Sequence, residues 1–83
     1  MIQYLCVDSN PNFCEKITSF VGDFSVLRFS TITDLVDLNP SDTSLGTMVC
    51  FVGPSVHVSS FLDFCKEHES LVRHLVILYF YEG

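Results

Sequence analysis

The sequence predicts an α/β protein, a parallel β-sheet with helices on both faces, and three observations carry that prediction. Ile2–Val7, Met48–Val52 and Leu75–Phe80 are nearly continuous apolar runs of strand length, as strands buried on both faces require. Segments with apolar residues at helical spacing separate the strand candidates. The connections are short, and a strand–helix–strand unit with a short return favours a right-handed crossover between parallel neighbours.

The first strand, Ile2–Val7, runs into Asp8-Ser9-Asn10-Pro11. An acidic residue at the carboxyl end of a first buried strand lies where open α/β sheets place their chemistry. Asn10 can cap a helix and Pro11 suits its first position. Phe13, Ile17, Phe20 and Val21 then recur at helical spacing until Gly22 stops the helix. A short strand, Val26–Phe29, follows the Gly22-Asp23 turn. Ser30 or Thr31 caps a short helix whose apolar face is Ile32, Leu35, Val36 and Leu38. Asn39-Pro40-Ser41-Asp42-Thr43-Ser44-Leu45-Gly46 is rich in turn formers and reads as a surface loop. The third strand, Met48–Val52, closes at Gly53-Pro54. The next helix spans about Val56 to His68, with Val58, Phe61, Leu62 and Cys65 inward and Lys66, Glu67 and Glu69 outward. Leu75–Phe80 is the fourth strand, giving the order βαβαβαβ.

Composition narrows the function classes. The chain has 83 residues, one domain at most, of which 48% are hydrophobic, and its mean hydropathy is +0.40. No apolar run approaches the ~20 residues that cross a bilayer, so no membrane insertion is expected, and the N-terminus shows no secretory signal. Net charge is −6, and the four fixed cations Lys16, Arg28, Lys66 and Arg73 are scattered. A chain without a basic stripe has nothing to neutralise phosphates, so no direct nucleic-acid binding is expected. Cys6, Cys14, Cys50 and Cys65 form no C-x-x-C pair. They read as buried thiols acting as small hydrophobes in a reducing cytoplasm.

Other constellations carry little. Cys65 and His68 have C-x-x-H spacing, but His57 and His74 lie too far along the chain to complete four converging zinc ligands. Ser41-Asp42-Thr43-Ser44 lacks the glycines of a phosphate cradle and precedes the third strand instead of following the first. Cys14 has no local His, and Lys16 is on another helix face, so it does not read as a nucleophile. The sequence predicts no enzyme, no cofactor and no metal.

An acidic residue ending the first strand, with helices and strands at this spacing, resembles the receiver domain of bacterial response regulators. The resemblance implies a flavodoxin-like fold of strand order 2-1-3-4-5, here one partial domain over residues 1–83 with about four strands and three helices. Receivers pair two acids after the first strand; Asp8 matches one, and Ser9 stands where the other belongs. The phosphoacceptor position falls on Val52, or on Gly53 one residue later. The Thr or Ser position at the end of the fourth strand falls on Tyr79, and the Lys position has no counterpart. Val49-Cys50-Phe51-Val52-Gly53-Pro54-Ser55-Val56, Val7-Asp8-Ser9-Asn10 and Phe20-Val21-Gly22-Asp23 resemble the N-terminal domain of FleQ-type sigma-54-dependent activators.

Phosphotransfer needs a carboxylate nucleophile and a divalent cation held by oxygen ligands. Val52 and Gly53 supply neither, so Asp8 reads as a residue that closes the turn or caps the helix. Tyr79 reads either as a ring filling an empty switch or as a strand-end tyrosine half in the core with its hydroxyl in water. What the resemblance implies is a non-phosphorylatable regulatory module of a cytoplasmic transcriptional regulator of flagellar or biofilm genes. It acts by homodimerisation or higher self-association, or by docking on the downstream ATPase domain of a protein that also carries a DNA-binding domain. With order 2-1-3-4 the fourth strand is an edge that invites pairing, unless residues beyond 83 cover it. Phe61, Phe64, Ile77, Leu78 and Phe80 are the expected interface. The alternative is a small stand-alone α/β protein binding a phosphorylated small molecule or nucleotide at the strand ends, through Asp8, Ser9, Asn10, Gly53, Ser55 and Tyr79.

Overall fold

The computed structural model describes residues 2–22, 25–37 and 47–80. Within them lie β1 (Ile2–Val7), α1 (Pro11–Val21), β2 (Val26–Phe29), a 3₁₀ helix (Ile32–Asp37), β3 (Thr47–Val52), α2 (Val58–Glu67), α3 (Glu69–Val72) and β4 (Leu75–Tyr79). The four strands form one sheet in the order β2-β1-β3-β4, and every pair is parallel. This is the flavodoxin-like arrangement expected from the sequence, with four helical segments in place of three. The expected loop over 39–46, with Leu38, Asp23, Glu82 and Gly83, lies outside the described residues.

Side-chain alternation sorts the sheet into two cores. Leu5, Val7, Met48, Cys50 and Val52 point to one face, where Ile32 and Leu35 of the 3₁₀ helix and Phe64 and Leu71 cover them. Cys6 and Phe51 point to the other, where Cys14 and Ile17 of α1 cover them. Leu5, Cys6, Val7, Cys50 and Val52 are fully buried, and each aliphatic one among them contributes roughly 1.5–3 kcal/mol by leaving water.

The start of α1 follows its sequence signals: Asn10 caps, its side-chain oxygen accepting from Asn12 N–H at 2.9 Å, and Pro11 opens the first turn. Gly22 ends the helix at φ +76°, where any side chain is strained, and its N–H donates to Thr18 O.

Three local expectations are corrected. The segment after β2 is 3₁₀, not α, so residues three apart share a face. Ile32 and Leu35 are therefore buried while Val36 is 47% exposed. Val56 is not helical; it is buried in the turn opened by Gly53-Pro54, its N–H donating to Gly53 O. In α2 the buried row is rotated: Phe64 is in the core with Phe61 packed against it, and Val58 and Leu62 face outward. The larger aromatic rings remove more apolar surface from water than Val58 and Leu62 can, so they take the core. The helix breaks at His68 (φ −126°, ψ 45°), whose ring rests on Phe64 at 4.7 Å between centroids.

Candidate functional site

β1 and β3 run side by side, with Val7 level with Val52, and Gly53 N–H continues the ladder onto Val7 O at 2.8 Å. That register brings the two loops at the carboxyl ends, after β1 and after β3, against one another. Asp8, only 4% exposed, sits between them. Its Oδ1 accepts from Asn10 N–H at 2.6 Å, closing the β1–α1 turn, and its Oδ2 accepts from Ser55 N–H at 3.1 Å. Ser9 N–H donates to Ser55 Oγ at 3.0 Å. Two loops far apart in sequence are thus stitched by two bonds, one of them to a carboxylate, the stronger class of hydrogen bond.

Gly53 makes this possible. A Cβ on residue 53 would lie 1.9 Å from Asp8 Oδ2, 2.6 Å from Asp8 Cγ and 2.8 Å from Asp8 Cβ. The carboxylate of Asp8 occupies the space that a side chain at 53 needs. Val52, the other candidate acceptor position, is fully buried with its side chain in the core under α2. A divalent cation is poorly served here: Val52 and Gly53 offer no oxygen side chain, and both Asp8 oxygens already accept backbone N–H groups. The residues present do not fit a magnesium-assisted phosphoryl site.

Tyr79 is half-buried against the core, as the second reading has it, but its hydroxyl has a protein partner. Its hydroxyl donates to Val56 O, on the β3–α2 turn, and its ring packs on Phe61 at 4.8 Å. It neither reaches into the Asp8 position nor leaves its hydroxyl to water alone; it ties β4 to the turn that carries Ser55. Asn10 serves as helix cap through its side chain and as donor to the Asp8 carboxylate in the turn through its backbone N–H, as its sequence position implies.

The expected interface residues separate. Ile77, Phe61 and Phe64 belong to the core face under α2, and Phe64 at 4% exposure is core, not contact surface. Leu78 and Phe80 point to the opposite face of the sheet, each 45% exposed. Alternation along a strand forbids Ile77 and Leu78 from sharing a face. The apolar surface there consists of Val76, Leu78 and Phe80, with the 77%-exposed Phe20 against Phe51 beside it. Phe80 is flanked by Phe13 at 5.6 Å and by Phe51 at 6.2 Å.

Beside the stitched loops lies a cavity of about 330 Å³ lined by the hydroxyl residues Ser9, Ser30, Thr31, Thr33, Ser55 and Ser60. The sequence placed Ser9 and Ser55 on this rim; Ser30, Thr31, Thr33 and Ser60 join them because the 3₁₀ helix and α2 both begin there. Among the described residues no group of three or more His, Cys, Asp or Glu side chains converges as metal ligands do, and no helix is long and apolar enough to cross a membrane. Comparison with protein-family models, with curated proteins and with solved structures finds no match.

Proposed function

We propose that the chain is a non-catalytic, receiver-like regulatory module of a bacterial transcriptional regulator of flagellar or biofilm genes. In this reading it works in the cytoplasm by contact, through self-association or by docking on a downstream ATPase domain, without phosphorylation. The observation that carries it is the Asp8–Gly53 interlock. The parallel order β2-β1-β3-β4 has an acid at the switch point, and that acid takes the space a side chain at residue 53 needs, which supports a module that is not phosphorylated there. The apolar surface of Val76, Leu78 and Phe80 on edge strand β4 supplies a place for a partner.

Sedimentation over a wide concentration range, with and without acetyl phosphate and magnesium, tests the proposal. The expected result is association that grows with concentration, is weakened by Leu78→Lys, and is indifferent to the phosphoryl donor. Leu78 is the residue to change because it is exposed, whereas Ile77 packs on the core and its replacement by Lys confuses folding with association. Phosphoryl transfer to the chain refutes the reading, and a monomer at every concentration refutes its self-associating form.

The second reading, a small-ligand protein, is favoured by the hydroxyl-lined cavity, whose volume suits a compact polar ligand. A nucleotide that raises the melting temperature, as native-state ligands do by mass action, selects it.

A further inference from the structure

We propose that Cys6 and Cys14 form a hydroperoxide-oxidisable pair that closes to an intramolecular disulfide between β1 and α1. The inference is independent of the receiver reading. Cys6 leaves β1 on the face that α1 covers, and Cys14 sits on α1 directly above it; their sulfurs are 3.0 Å apart, Cys6 donating to Cys14. Both are buried, at 0% and 3% exposure. The sulfurs therefore stand about 1 Å beyond the bonded distance of roughly 2.05 Å.

Burial does not seal the pair. Cys14 lines a cavity of about 150 Å³ whose wall also includes Asp8, Arg28, Phe29 and Ser30, large enough to admit a molecule the size of hydrogen peroxide. The Arg28 side chain reaches α1, donating to Thr18 Oγ1 at 3.2 Å, so a fixed positive charge borders the cavity from which Cys14 is attacked. The two sulfurs have unequal roles. Burial, then the hydrogen bond to Cys14, push the Cys6 thiol well above its ordinary range, whereas Cys14 is the one of the two that lines the cavity.

The chemistry balances with a hydroperoxide as the two-electron oxidant. The Cys14 sulfur attacks the nearer peroxide oxygen, the O–O bond breaks, and the leaving hydroxide takes the Cys14 thiol proton as water. The sulfenic acid so formed is attacked by Cys6 sulfur; the S–O bond breaks, the second hydroxide takes the Cys6 proton, and a second water leaves. Two thiols are oxidised by two electrons, and one peroxide is reduced to two waters.

Trypsin separates the chain's two cysteine pairs, because Cys6 and Cys14 lie in Met1–Lys16 and Cys50 and Cys65 in Phe29–Lys66. The reduced chain is treated with one equivalent of hydrogen peroxide, unfolded, alkylated and digested. The expected result is a Met1–Lys16 peptide lighter by two hydrogens that carries no alkyl label, while Phe29–Lys66 keeps both labels. In Cys6→Ser the expected product is a Cys14 sulfenic acid trapped by dimedone. A Met1–Lys16 peptide that keeps both labels overturns the proposal. So does the disulfide forming equally in both peptides, as unfolded chains in urea allow, or label lost first from half-buried Cys65. Because the wild-type peptide map is decisive alone, a Cys6→Ser variant that fails to fold leaves the test intact.

Discussion

Replacing Gly53 by Ala tests the interlock at the strand ends. The added Cβ meets Asp8 Oδ2, Cγ and Cβ at 1.9, 2.6 and 2.8 Å, all closer than packed carbon atoms allow, so the Asp8 carboxylate has to leave. Leaving costs its two backbone hydrogen bonds, to Asn10 and Ser55. Hydrogen bonds to charged groups contribute about 1.5–3 kcal/mol each, so the expected loss is about 3–5 kcal/mol. A chain of this length has a total stability of roughly 4–12 kcal/mol, and the variant is therefore close to unfolding. The assay is urea denaturation followed by far-ultraviolet circular dichroism, reading the midpoint at constant m-value. The same substitution in an Asp8→Gly background removes the clash, and there it is expected to cost less than half as much; the difference is the coupling energy of a double-mutant cycle. A Gly53→Ala loss below about 1 kcal/mol, or one of equal size in both backgrounds, refutes the reasoning.

Two other outcomes follow from the packing and from the buried thiols. Phe64→Ala is expected to cost about 3–5 kcal/mol as a core truncation and Leu62→Ala well under 1 kcal/mol as a surface change, read as urea midpoints; equal costs place the inward row of α2 wrongly. Stability is expected to fall as pH rises above about 8.5. Burial pushes the Cys50 thiol up to about 12, and Cys6 is raised in the same direction, first by burial and then by its bond to Cys14. The unfolded chain releases those protons near the ordinary thiol range while the folded chain keeps them. The thiol contribution is thus complete below that range and is lost as pH climbs, at about 1 kcal/mol per pH unit for each thiol. Urea midpoints under reducing conditions between pH 7.5 and 10 measure it, and a flat profile shows that the thiols are not buried.

Much of the fold is legible because the strands are apolar enough to be read without a helical alternative. Asn10-Pro11 and Gly22 bracket α1, and parallel pairing follows from the short returns. The rotation of α2 is not legible in the same way. Val58, Leu62 and Cys65 form one helical row and Phe61, Phe64 and His68 another, and both satisfy the helical period. Only packing against Ile32, Leu35 and β3 decides between them. At the site, Asp8 as a turn-closing residue is readable from Asp8-Ser9-Asn10, where the side chain meets the backbone two residues on. Its second bond, to Ser55, depends on the β1–β3 register across more than forty intervening residues, and no local signal carries that. Alternation along β4 was available, and by itself it separates Ile77 from Leu78. The Cys6–Cys14 approach is half-visible: both positions fall on inward faces, yet nothing in the sequence puts them opposite one another.

Magnitudes decide how a partner can use the β4 surface. Phe20, Val76, Leu78 and Phe80 are each exposed by about half or more, and fully burying what remains of them on two copies is worth about 6–13 kcal/mol at the usual side-chain values. Association itself costs an estimated 4–15 kcal/mol in lost freedom. The apolar face alone therefore leaves two copies near the balance point, with dissociation in a weak range. Among the described residues β4 is the outermost strand on its side of the sheet, and each ladder bond made across its outer edge shifts that balance by about 0.5–1.5 kcal/mol net. A pair that uses face and edge together is concentration-dependent but real, whereas a pair that uses the face alone scarcely forms. Leu78→Lys acts on the face and a proline in β4 acts on the edge by removing a ladder donor. If both weaken association, the sheet is continued across two copies; if only Leu78→Lys does, the contact is face to face and the edge is left unpaired.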